Sequence, residues 1–175
     1  ITNFARSNGG LSERVSFPRK YIRPASPIQE KLKSFILDQT LRENISYCYI
    51  LLDVLRWVVN ITDIQGTAKT MLIKNCIELF GSICESTTKA SAETVMSKKK
   101  AKDYRPRIAE MLSKKMITKD LADDLLWLWK KRDGIHLFLL ETRADGQYRQ
   151  ADFKKAHSTT EQLFTELGAY HDILY

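Results

Sequence analysis

From Ile28 onwards apolar residues recur every three or four positions, and that spacing does most to narrow what this chain can fold into. Leu32, Phe35 and Ile36 form one stripe, and Leu41, Ile45, Cys48, Leu52, Leu55 and Val59 form a second. At 3.6 residues per turn each set falls on one side of a helix. A third helix is predicted from near Thr67, with Met71, Ile73, Cys76, Ile77, Phe80 and Cys84 facing inward, fading in the Ser/Thr-rich stretch 86–94. Only 7 glycines and 4 prolines punctuate the 175 residues, which excludes collagen-like, low-complexity and turn-dense all-β chains. Apolar residues make up 43% of the chain, enough for the core of one domain.

Punctuation marks the remaining elements. Residues 1–26 carry Asn8-Gly9-Gly10, Pro18 and Pro24 without a sustained apolar period, and read as an extended or disordered arm. Ser26-Pro27 resembles an N-cap followed by proline at the first helical position, so the bundle domain is expected over 27–175. Asn60 to Gly66 breaks the second helix. Pro106 opens a short helix with Ile108, Met111 and Leu112. Thr118 caps another, whose stripe is Leu121, Leu125 and Leu128. That helix is expected to run to about Leu140 or Glu141, although 135–153 could instead pair as a β-hairpin. A last helix carries Phe153, Ala156, Leu163, Phe164 and Leu167. The expectation is an all-α, up-and-down bundle of five or six helices, two of them long.

The charge is uneven. Between Lys98 and Arg132 lie twelve basic and five acidic residues, an excess equal to the whole net charge of +7. A localised positive field attracts polyanions, and neutralising phosphates releases counterions. Lys98, Lys99, Lys100, Lys102, Arg105, Arg107, Lys130 and Lys131 are therefore the candidate nucleic-acid contacts. The competing explanation is a solvated basic surface without a ligand. The three cysteines have no CxxC spacing and read as buried small hydrophobes in a reducing, cytoplasmic setting. His157 and His171 have no metal-ligand spacing, so neither a metal nor a cofactor is expected. The apolar runs are too short to span a bilayer, and no secretory signal is visible, though the chain starts at Ile1. Of Trp127 and Trp129, which cannot share one helix face, one is expected in the core and the other against a partner or the arm.

Extending the Leu121, Leu125, Leu128 stripe by fours reaches Arg132 and then His136. Two polar side chains thus occupy the face that earlier turns reserve for burial, with Gly134 between them. A guanidinium binds phosphate bidentately, and an imidazole moves protons near neutral pH. The alternative is that Lys130-Lys131-Arg132 complement a helix C-terminus, Asp133-Gly134 is a stop signal and His136 is structural.

The stretch Met116-Ile117-Thr118-Lys119-Asp120-Leu121-Ala122-Asp123-Asp124-Leu125-Leu126, followed by Trp129-Lys130-Lys131-Arg132-Asp133-Gly134-Ile135-His136, resembles the motif helix of HEPN domains. There a capped helix ends in Arg, a polar residue, a few others, then His. Here three residues separate Arg132 from His136, one fewer than the usual minimum. Either Arg132 serves from a shifted register or Lys131 replaces it. The resemblance implies an α-helical bundle that dimerises across its motif helices and cleaves RNA without metal. His136 would transfer protons, Arg132 would stabilise phosphoryl charge and Asp133 would orient one of them. Relatives without activity imply the rival reading: a catalytically inactive interaction module that binds nucleic acid or an acidic protein through the basic stretch 98–132.

Overall fold

A computed structural model describes residues 19–95, 103–133 and 148–174. Among these residues the chain is all-helical, with six α-helices and no strand. After a 3-10 turn, Arg19–Tyr21, come α1 (Ala25–Leu32), α2 (Gln39–Ile61), α3 (Gly66–Val95), α4 (Tyr104–Ser113), α5 (Lys119–Asp133) and α6 (Gln150–Leu174). Three helices, rather than the expected two, exceed twenty residues. The β-hairpin alternative fails over its last part, since Gln150 to Phe153 belong to α6. Residues 134–147, including the proposed extension of α5, lie outside the described part.

Local chemistry explains the boundaries. Pro24, extended at ψ 151°, sits at the N-cap of α1, so the helix starts before Ser26, and Pro27 occupies its first turn, where no N–H is needed. The fold thus reaches into the end of the expected arm: Arg23 donates from its backbone N (2.9 Å), Nε and Nη2 to the buried carboxylate of Asp53 in α2. Asp38 caps α2 by accepting from the Leu41 N–H at 3.0 Å. Gly66 opens α3 at φ +60°, the left-handed region where a side chain costs energy. α4 closes with a Schellman motif, in which the Met116 N–H reaches Met111 O and the Lys115 N–H reaches Leu112 O, both at 3.0 Å. The left-handed position of that motif holds Lys115, at φ 58°, instead of the usual glycine. Thr118 caps α5 as expected, its Oγ1 accepting from the Leu121 N–H. Glu166 of α6 supports it, accepting from the Thr118 N–H (2.7 Å) and hydroxyl (2.9 Å).

Side-chain pairs give the helix directions. Phe80 meets Phe153 and His157, Cys84 meets Thr160, and Ser91 meets His171. Residue numbers rise together, so α3 and α6 are parallel. Against α6, α2 pairs Tyr49 with Phe164 and Asn60 with Gln150, while α5 pairs Thr118 with Glu166 and Lys131 with Asp152. Numbers there run oppositely, so α2 and α5 are both antiparallel to the central pair. The four longest helices therefore alternate in direction in chain order, with α3 and α6 in the middle and α2 and α5 on opposite flanks.

The core contains the stripes read from sequence: Leu32, Phe35, Ile36, Ile45, Leu52, Val59, Ile77, Phe80, Leu121, Leu125, Leu128, Leu163 and Leu167 are all buried. Phe35 and Ile36 lie just beyond the last turn of α1 rather than within it. The Ser/Thr-rich stretch departs from expectation. α3 does not fade there but continues to Val95, burying Thr87, Thr88 and Ser91 completely. The Thr88 hydroxyl returns a bond to Cys84 O at 2.8 Å, and across the contact with α6 Cys84 Sγ lies 3.4 Å from the buried Thr160 hydroxyl and Ser91 Oγ 3.1 Å from His171 Nε2. Of the hydroxyls of Thr87, Thr88 and Ser91, which would compete with an isolated helix, two are paired, Thr88 within α3 and Ser91 with His171 of α6, while the buried Thr87 hydroxyl has no hydrogen-bond partner among the described residues.

Candidate nucleic-acid and phosphate site

The last turn of α5 is held against α3 by shape. Gly81 of α3 lies under Arg132: a Cβ added at Gly81 would come within 2.8 Å of Arg132 Cδ and 3.1 Å of its Cβ. The absence of that Cβ lets the two helices close to contact. With its stem in this notch, Arg132 directs Nη1 to the Glu85 carboxylate one helical turn along α3. Its guanidinium also covers the Trp129 ring, 5.1 Å from the centroid.

Trp129 in turn stacks on Tyr104 of α4, with centroids 4.3 Å apart and planes 12° from parallel. On the other side, the guanidinium of Arg107 lies 5.2 Å from the Tyr104 centroid, and its Nη2 approaches the Glu85 carbonyl at 3.5 Å. Two arginines thus bracket two aromatic rings, with Glu85 beside both cations. Each cation–π contact contributes about 0.5–2 kcal/mol depending on desolvation. The arrangement fixes the Arg132 head group while leaving about a third of the side chain exposed (32%).

Arg107 is a correction to the sequence expectation. It is 1% exposed and packed between α3 and α4, and burial pushes its guanidinium below its ordinary pKa. A side chain so enclosed cannot reach a phosphate backbone outside, and it serves the fold instead. The same burial raises the Tyr104 phenol far above its usual range. Arg105 and Lys130 are exposed as expected. Lys131 is only partly exposed, pairing with Asp152 at 3.4 Å and lying 5.7 Å from the Tyr148 centroid. Asp133 is exposed at the end of α5. Lys98, Lys99, Lys100, Lys102 and His136 lie outside the described residues. The described basic side chains of 98–132 therefore do not form one uniform patch, because some are structural and others face water.

Neither tryptophan of α5 lies in the core. Both are half-buried within the chain, Trp129 under Tyr104 and Trp127 under Lys155, whose Nζ is 4.8 Å from the ring centroid. Cys76 and Cys84 are buried, and desolvation pushes both thiols up to about 12. Cys48 is half-buried. Among the described residues no group of three or more His, Cys, Asp or Glu is placed to hold a metal ion, and no helix is long and apolar enough to cross a membrane. A groove of about 440 Å³ lined by Leu112, Met116, Ile117, Tyr170 and Ile173 opens at the Thr118 end of α5. Fourteen residues of helix, about 21 Å, separate it from Arg132.

Comparison with protein-family models, curated proteins and solved structures gave no match. The geometry of the site therefore carries the functional argument. Its most informative members, Glu85 and Gly81, were not singled out from the sequence. Glu85 stands 47 residues from Arg132, just before the stretch 86–94 that reads as a fading helix. The one available signal for Gly81 is a glycine inside an otherwise strong helical pattern, a frequent mark of close backbone approach.

Proposed function

We propose that this chain is an RNA-binding helical domain of the HEPN type, acting on cytoplasmic RNA as a metal-independent endoribonuclease, with a homodimer as its working form. The observation that carries the reading is Arg132: a guanidinium oriented by Gly81, Glu85 and Trp129, partly open to solvent, four residues before His136. A pre-oriented guanidinium stabilises charge that develops on phosphoryl oxygens without reorganising during the reaction. In the proposed reaction the ribose 2′-hydroxyl loses its proton and attacks the adjacent phosphorus. The bond to the 5′-oxygen breaks, and that oxygen gains a proton. His136 moves one of these protons, Arg132 neutralises the phosphoryl oxygens, and Asp133 orients the imidazole or the guanidinium. The products are a 2′,3′-cyclic phosphate and a free 5′-hydroxyl.

The test is cleavage of a mixed-sequence RNA by the purified chain in the presence of EDTA. The expected result is cyclic-phosphate products from the wild type, none from His136→Ala, and an unchanged thermal melt. Equal cleavage by His136→Ala would remove that residue from the mechanism.

A second reading rests on the Glu85 carboxylate, which already engages the Arg132 head group, and on the burial of Arg107. Both fit a catalytically silent module that holds RNA or an acidic protein through its exposed cations. That reading expects salt-dependent association, weakened when Arg105 and Lys130 become Glu, with no cleavage under any condition.

A further inference from the structure

Two long helices begin side by side at one end of the bundle. α3 and α6 are parallel, and their first turns enclose a cavity of about 420 Å³. Gly66, Thr67, Lys69 and Thr70 of α3 line one side, and Tyr148 and Arg149 at the start of α6 line the other. None of the residues lining it is acidic. Neither Lys69 nor Arg149 forms an ion pair among the described residues. Each helix N-terminus adds about half a positive charge, and that of α3 is left open. Asp38 and Thr118 cap α2 and α5, but no side chain among the described residues accepts from the first-turn N–H groups of α3.

Lys74 points to a ligand independently of the two helix ends. It follows Thr67 by seven residues and Thr70 by four, so it shares their face of α3. Only 9% exposed, it has no carboxylate partner among the described residues. Helical side chains lean toward the helix N-terminus, which sets its stem on the cavity side of its turn. A nearly buried ammonium is costly unless an anion lies beside it. Of the neighbouring carboxylates, Asp152 is engaged by Lys131 and the Arg149 N–H, and Glu78, one turn on, forms no ion pair with Lys74. Seven residues beyond Lys74, about 10 Å along the same face, Gly81 lies under Arg132. Lys131 approaches to 5.7 Å from the Tyr148 ring centroid, so the cavity adjoins the end of α5.

We propose that this cavity is a second phosphate subsite, holding a backbone phosphate of the RNA strand whose scissile group lies at Arg132. Lys69, Lys74 and Arg149 supply the charge, and the open N–H groups of α3 with the Thr67 hydroxyl supply neutral donors. The source of the phosphate rests on the ribonuclease reading, whereas the anion chemistry of the cavity does not. An anchor away from the reacting bond sets the register of the strand, so that remote binding energy positions the scissile phosphate.

Fluorescence anisotropy of the full chain at low salt with a 2′-O-methylated RNA, which has no free 2′-hydroxyl to attack, tests the assignment. Lys69→Gln/Arg149→Gln should weaken binding by at least about tenfold and reduce the salt slope by about two, with the thermal melt unchanged. Lys74→Met should weaken binding and raise the melting temperature, since the buried charge is gone; a lysine serving the fold alone would not do both. Inorganic phosphate separates the sources. If it protects the wild type against heat, and not the double variant, while no RNA binds, the cavity takes a free phosphate ester and the strand assignment is overturned. Wild-type affinity and salt dependence for RNA in the double variant would overturn the proposal outright. The ribonuclease reading fails separately, should RNA bind through these residues and unmodified RNA never be cleaved.

Discussion

Gly81→Ala is the most direct probe of how α5 is seated. In an unconstrained helix the change gains up to about 1 kcal/mol from propensity. Here the new methyl meets Arg132 Cδ at 2.8 Å, Cγ at 3.2 Å and Cβ at 3.1 Å. Cδ could swing aside, but Cβ moves only with the α5 backbone, and the head group is tied to Glu85 and Trp129. Overpacking of this kind costs about 1–3 kcal/mol, and loss of the half-exposed ion pair adds at most about 1. The cost exceeds the gain, for a net destabilisation of about 1 kcal/mol and a melting temperature lower by about 2–4 °C. Gly168→Ala in α6 is the control: the nearest atom to its added Cβ is Ser34 Oγ at 4.0 Å, so propensity acts alone and the melt rises by a similar amount. Circular-dichroism melts at neutral pH read both. In Gly81→Ala/Arg132→Ala two of the three clashing atoms are gone, so the arginine truncation should cost about 1 kcal/mol less than in the wild type. A Gly81→Ala protein melting at or above the wild type would refute the close-contact account of the site.

Two other substitutions test the framework around it. Lys115 occupies the left-handed position that ends α4, at a cost of roughly 1 kcal/mol or more for a residue with a Cβ; Lys115→Gly should stabilise the chain by about that amount in urea unfolding, and a destabilised variant would contradict the strain. His171 is buried with Ser91 Oγ 3.1 Å from its Nε2, and burial lowers its pKa from the ordinary 6.5. The unfolded chain therefore binds the proton first, so stability is full above about pH 7 and falls as the pH drops through 6.5, by at most about 1.4 kcal/mol per pH unit for this group. His157, lowered chiefly by burial as well, adds in the same direction. His171→Gln should flatten the dependence between pH 7 and 5, and an unchanged slope would clear that residue.

The all-helical architecture, the core stripes and the Thr118 cap were legible because they depend on neighbours within about four residues. Leu121, Leu125 and Leu128 share a face for any α5 that forms, and that face has to be buried. The end of α3 was not legible, since Thr87, Thr88 and Ser91 favour helix interruption in isolation and become core only when α6 packs against α3, as the Cys84–Thr160 and Ser91–His171 pairs show. The polar groups divided on the same principle. Composition placed the cations between Lys98 and Arg132, but could not separate buried Arg107 from exposed Arg105, two residues apart on opposite sides of α4. Nor could spacing reveal that Glu85, in another helix, receives Arg132. Side-chain periodicity is a local property written into the chain, whereas the partner of a charge depends on which helices meet. Only the packing of α3, α4 and α5 brought that carboxylate, the two guanidinium groups and the stacked rings together.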